Sequence, residues 1–143
     1  MPSISVIDDD KDLLAVTKKL LSRCGFAVST FFNWETAREA IRKFKPQIIL
    51  LDVFLSPNTD GLDVCRELKE SPATKDIPVL MCSGFPKVAD SAVYEYGADD
   101  FIAKPFSSRD LVKKLYSLLQ RKNNDRLAAR RTFWRLPSHQ FLF

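Results

Sequence analysis

Three consecutive carboxylates, Asp8, Asp9 and Asp10, follow directly on the apolar run Ile4 to Ile7. Like charges this close repel, and a cation relieves them. The same arrangement, an apolar run closed by a chemically active side chain, recurs three times. Asp52 ends "IILLD", Ser83 ends "VLMCS", and Lys104 follows "DFIA". If these runs are neighbouring strands, their ends bring carboxylates, a hydroxyl and an ammonium to one rim. Clustered oxygen donors suit a hard divalent cation, Mg2+ or Mn2+. Lys104 offers a point charge to a phosphoryl oxygen, and the Ser83 hydroxyl can donate to another. A carboxylate can itself be the nucleophile and carry an aspartyl-phosphate. Asp52, central among cation, hydroxyl and ammonium, is the candidate.

The elements that must position these groups alternate in type. Strands are expected at Ile4 to Ile7, "AVSTFF", "QIILL", "IPVLMCS" and "DFIA". Between them lie helical spacings. Leu13, Val16, Thr17, Leu20, Leu21 and Cys24 mark a first helix that stops at Gly25. Asn33 caps a second, with Ala37, Ile41 and Phe44 on one face and Pro46 beyond its end. Leu62, Cys65 and Leu68 mark a third, after a loop holding Pro57 and Gly61. Ala89, Ala92, Val93 and Tyr96 mark a short fourth, closed at Gly97. Leu111, Leu115, Leu118 and Leu119 mark a last one, starting near Ser107 or Ser108. Five βα units with crossover helices predict a doubly wound α/β domain, a five-stranded parallel sheet between two helical layers. Open sheets of this kind bind ligands at the carboxyl ends of their strands, where the reactive side chains fall.

Composition narrows the function. With 45% apolar and 28% charged residues, the 143-residue chain reads as an ordinary globular protein with no transmembrane segment and no signal peptide. Cys24, Cys65 and Cys82 fit no metal or redox spacing and are expected as reduced, packed thiols in the cytoplasm. His139 is the only histidine, so no histidine-based triad or zinc cluster exists in the domain. Glycines at 25, 61, 84 and 97 form neither a dinucleotide fingerprint nor a P-loop. Asp10 reads as a helix N-terminal residue, Trp34 as packing, and Asp99 and Asp100 as turn residues.

The net charge of +4 is unevenly spread. Residues 121–143 carry six basic side chains against Asp125, a net +5, which leaves −1 for the rest. We therefore expect a domain over residues 1–122 and a basic, aromatic tail over 123–143. The tail can extend the last helix through "DRLAARR" and break at Pro137. It is too short for a helix-turn-helix, so direct DNA binding by this chain is not expected. A linker, a truncated connection to an output domain, or an artificial end is the reading for it. Its finish, Phe141-Leu142-Phe143, offers an apolar contact.

Taken together, "VIDDDKDLL", "IILLDVF", the following proline and "DGLDVCREL", "IPVLMCSG" and "YGADDFIAKPF" resemble the receiver domain of two-component response regulators over about residues 3–121. The resemblance implies a flavodoxin-like, CheY-like fold and several roles. Asp52 is the phospho-acceptor. Asp9 and Asp52 ligate Mg2+ directly, Asp8 acts through water, and the backbone carbonyl of Phe54 is a further ligand. Ser83 is the switch hydroxyl, Phe101 the switch aromatic, and Lys104 the family lysine, joined to a cis Pro105. The implied partners are a sensor histidine kinase or phosphotransfer protein and a downstream protein reading the fourth helix, fifth strand and fifth helix, or a second copy of the chain there. The chain departs from the family pattern in the loop after Asp52 and at the switch position, where Phe101 lacks the hydroxyl of a tyrosine. Pro57 and Gly61 stand five and nine residues after Asp52 rather than four and eight, so the loop is one residue longer. Phe54 also puts an apolar side chain where water would approach a phosphorylated Asp52, and slow loss of phosphate is expected. Two other readings compete. One is a receiver-shaped interaction module that takes no phosphate. The other is a Mg2+-dependent phosphatase of the haloacid-dehalogenase type, which lacks its second acid here because Phe54 fills that position.

Overall fold

Ile48–Asp52 (β3) and Val79–Ser83 (β6) are apolar up to their last residue and buried at every position, as strands covered on both faces must be. Ser3–Ile7 (β1), Ala27–Phe31 (β2) and Asp100–Ala103 (β7) complete a parallel sheet in the order β2-β1-β3-β6-β7. This computed structural model describes residues 1–56 and 58–134, with side chains as far as residue 128. Helices α1 (Lys11–Arg23), α2 (Trp34–Phe44), α3 (Gly61–Glu70), α4 (Ala89–Tyr94) and α5 (Ser108–Trp134) connect and cover the strands. The doubly wound architecture is the one expected.

Side chains alternate along each strand and build two cores. Ile4, Val6, Ile48, Leu50, Leu80, Cys82 and Ile102 meet Leu14 and Leu21 of α1 and Leu111, Leu115 and Leu118 of α5. Ile7, Ile49, Leu51, Val79 and Met81 meet Ala37 and Ile41 of α2, Val64, Cys65 and Leu68 of α3, and Ala92 of α4. Each fully buried Ile or Leu contributes roughly 1.5–3 kcal/mol.

The helix starts follow local chemistry. Asp10 accepts from the N–H groups of Asp12 and Leu13, and Asn33 from that of Thr36. Asp60 does the same for Leu62 at the head of α3. Gly25, at φ +93°, turns the chain after α1. Trp34 is buried in the core, as expected.

Three features differ from expectation. The β3–α3 connection is not plain loop. Phe54–Ser56 (β4) and Thr59–Asp60 (β5) pair as a small antiparallel hairpin whose register shifts between Phe54 and Ser56. Gly61 lies against the backbone after β3. A Cβ on Gly61 would fall 2.0 Å from the Asp52 carbonyl oxygen. Second, α4 ends at Tyr94, before Tyr96, and a single 3-10 turn, Pro86–Val88, precedes it. Third, Asp99 and Asp100 do more than turn the chain. Asp99 accepts the Val79 N–H and pairs with Lys69 at 2.6 Å, and Asp100 opens β7 and pairs with Lys114 at 3.2 Å. Helix α5 runs unbroken past residue 122 and through "DRLAARR". The expected break at Pro137, His139 and the apolar finish lie outside the described residues, as does Pro57.

Candidate functional site

Strand order reverses beside β1, with β2 on one side of it and β3 on the other, and the crevice at such a point is where open α/β sheets bind ligands. Asp8 follows β1 there and Asp52 ends β3. Alternation puts Asp8, Asp52, Cys82 and Lys104 on the α1/α5 side of the sheet, each two residues beyond the core positions Val6, Leu50, Leu80 and Ile102. Ser83 and Phe101 fall on the other side, where Phe101 packs half-buried against the core under α2, α3 and α4.

The two carboxylates are nearly out of solvent: Asp8 is 4% exposed and Asp52 6%. One ammonium joins them. Lys104 Nζ lies 2.7 Å from Asp8 Oδ2 and 3.3 Å from Asp52 Oδ2. The other Asp8 oxygen accepts the Asp10 N–H at 3.0 Å, and Asp52 Oδ1 faces the Phe54 N–H at 3.5 Å. Burial, and next the charge of Asp8, push the Asp52 carboxyl up to about 6, against the pull of Lys104. Burial alone would lower Lys104, but its hydrogen bond to Asp8 and the negative groups around it raise it to about 12. One fixed positive charge thus faces two buried carboxylates, and the local balance is short of a cation.

The remaining candidates frame this pair. Asp9 is exposed beside Asp8. Ser83 is fully buried, and its Oγ accepts the Phe85 N–H at 3.0 Å. The Lys104-Pro105 bond is cis. Phe54, 55% exposed, meets Phe85 edge-on with ring centroids 5.3 Å apart. This aromatic pair stands where the β3 and β6 ends give way to their loops.

One residue of the site was not anticipated. Cys82 pairs in register with Asp52, and ligand atoms of Asp8, Asp52 and Cys82 all lie within 4.8 Å of one another. Burial, then the two carboxylates, hold its thiol well above the usual range, with Lys104 opposing. Sequence spacing gives no sign of this, because the neighbours come from strands about 30 and 75 residues away. A groove of about 720 Å3 lined by Met1, Pro46, Pro78, Tyr116, Lys122 and Arg126 among others is at the opposite end of the sheet. It holds none of these groups, so the chemistry and not the volume locates the site.

The response regulator receiver domain model matches residues 4–116. The chain belongs to the response regulator receiver family. A probable transcriptional regulator, ycf27, of Cyanophora paradoxa is 35% identical over 130 residues, 90% of this chain and 53% of the relative. A DNA-binding dual master transcriptional regulator, RpaA, of Synechocystis sp. is 31% identical over 131 residues, 91% of this chain and 54% of that one. The receiver chain therefore spans about half the length of these curated relatives. Among solved structures, the receiver domain of NtrX from Brucella abortus superposes with a TM-score of 0.75 at 33% identity, over 82% of this chain and 98% of that domain. The receiver is a module of two-component signalling, and the buried acid pair with its lysine occupies the carboxyl edge of that module.

Proposed function

We propose that Asp52 of this receiver accepts a phosphoryl group from a phospho-histidine of a sensor kinase or phosphotransfer protein. One observation carries the reading: the Lys104 ammonium bridges two buried carboxylates drawn from separate strands. An Asp52 oxygen attacks phosphorus, the histidine N–P bond breaks, and the imidazole leaves with a proton from solvent. Lys104 turns from the carboxylates towards the incoming phosphoryl oxygens, and catalysis is positioning and charge neutralisation.

Asp8, Asp9 and Asp52, with the Phe54 carbonyl, are the residues that would hold Mg2+ or Mn2+, and the shortage of positive charge around Asp8 and Asp52 supports that fit. When bound, the ion neutralises phosphoryl charge. The phosphate then draws the Ser83 hydroxyl, which gives up its contact with the Phe85 N–H. Phe101, on the same side of the sheet, turns into the space and biases the α4, β7 and α5 surface. A downstream protein or a second copy of the chain reads that surface. The chain acts as a signal carrier and not as a turnover enzyme, and the cytoplasm is its proposed location. The transcriptional-regulator relatives support a role in a longer regulator.

Incubation with acetyl phosphate and Mg2+, followed by intact mass measurement, tests the reading. One acid-labile phosphate per chain, absent from Asp52→Asn, is expected. No phosphate would favour a silent interaction module, and continuous phosphate release a phosphatase.

A further inference from the structure

Cys82 has no part in the phosphoryl chemistry just described, yet it faces it. Parallel pairing sets it beside Asp52 on the same side of the sheet. It is 3% exposed. Two carboxylates, 4% and 6% exposed, stand within 4.8 Å of that sulfur. Among the described residues these three form the one group of this kind. Cys65 belongs to the core on the other side of the sheet, and Cys24 lies half-buried at the end of α1.

We propose that Asp8, Asp52 and Cys82 form a mixed oxygen–sulfur site for a thiophilic divalent cation such as Zn2+ or Cd2+. Magnesium prefers oxygen and gains nothing from a thiol. Zinc binds thiolate at about 2.3 Å and carboxylate at about 2.0–2.2 Å, so donors on one tetrahedral ion sit roughly 3.5 Å apart. The three atoms need to close by only about 1 Å to meet that spacing. As the sulfur–metal bond forms, the thiol proton leaves to solvent, one proton per ion, and water completes the coordination. The ion competes with the Lys104 ammonium for both carboxylates and occupies an oxygen of Asp52. A thiophilic metal therefore blocks the phosphoacceptor that Mg2+ serves. This consequence rests on the phosphoacceptor reading; the binding site itself does not.

The test is a titration of the reduced full chain with Cd2+ in excess Mg2+, followed by ultraviolet thiolate-to-cadmium absorption and by intact mass. A band saturating at one ion per chain is expected, present in Cys24→Ser and absent from Cys82→Ala and Cys82→Val. Two variants are used so that a packing defect in one, checked by circular dichroism, does not decide the outcome. Asp8→Asn is expected to weaken Cd2+ by more than the roughly 10–100-fold that loss of even an outer-sphere partner costs. Cadmium should also suppress labelling by acetyl phosphate in the parent chain and not in Cys82→Val. An unchanged band in Cys82→Val, or its loss in Cys24→Ser, overturns the inference, as does phosphorylation that proceeds normally with no band at all. A Cys82-dependent band in a chain that takes no phosphate overturns the phosphoacceptor reading alone.

Discussion

Asp52 carries its negative charge at a cost in the folded chain. Its midpoint moves from 3.8 to about 6, which removes on the order of 3 kcal/mol from native stability at neutral pH. Below pH 3.8 the carboxyl is protonated in both states and nothing is lost. Between there and about pH 6 the native state holds the proton more tightly than the unfolded chain, so stability falls as pH rises. Above about 6 the full cost is present. Asp52→Asn is therefore expected to raise the melting temperature at pH 7.5 and to lose that advantage as pH approaches 4, in thermal melts followed by circular dichroism. Mg2+ should recover part of the cost in the parent chain and not in the variant. Lys104 makes a complementary case. Lys104→Met leaves Asp8 and Asp52 without their shared counter-charge. Labelling by acetyl phosphate should fall by at least about 100-fold, while calorimetry shows Mg2+ binding at least as tightly, since the competing ammonium is gone. Weaker Mg2+ binding would show that the lysine organises the ion site instead of competing with it.

The connection between β3 and α3 decides how Asp52 is presented. It folds as the β4–β5 hairpin, and Gly61 donates its N–H to the Val53 carbonyl at 2.7 Å. Gly61→Ala would drive a methyl into the Asp52 backbone, and a loss of about 2 kcal/mol or more in urea denaturation is expected. The same hairpin holds Phe54 edge-on to Phe85. Both rings are more than half exposed, and the proposed slow loss of phosphate predicts that Phe54→Asn and Phe85→Ala each shorten its lifetime on Asp52. An unchanged lifetime in both would remove water exclusion as the cause. The sequence made most of this level readable. β3 and β6 announce themselves as unbroken apolar runs, and Asn33 and Asp10 sit where caps belong. The hairpin was not readable, because strands of three and two residues carry no period to detect. Cys82 was hidden for another reason: its meaning lies in register with Asp52, which pairing between remote strands sets and local spacing does not.

At the scale of the whole molecule, the charge boundary and the structural boundary do not coincide. Composition shifts near residue 122, yet α5 continues to Trp134 as one helix of 27 residues, about 40 Å long. Its first part packs on the core through Leu111, Leu115 and Leu118. Leu118 is buried and Leu119 partly so, and Lys122 donates to the Asp76 carbonyl; residues 123–128 are exposed at every position. A helix without tertiary packing draws little stability from propensity alone. The chain cut after residue 122 is therefore expected to unfold within about 1 kcal/mol of the full chain, a shift of a few degrees, and to take phosphate on Asp52 at an unchanged rate. The parent chain should lose helix content first on heating, in circular dichroism at temperatures below the cooperative transition, and the shortened chain should not. A cut chain that melts far lower would mean that the segment after residue 122 packs on the domain, and the receiver would then have to be redrawn to include it.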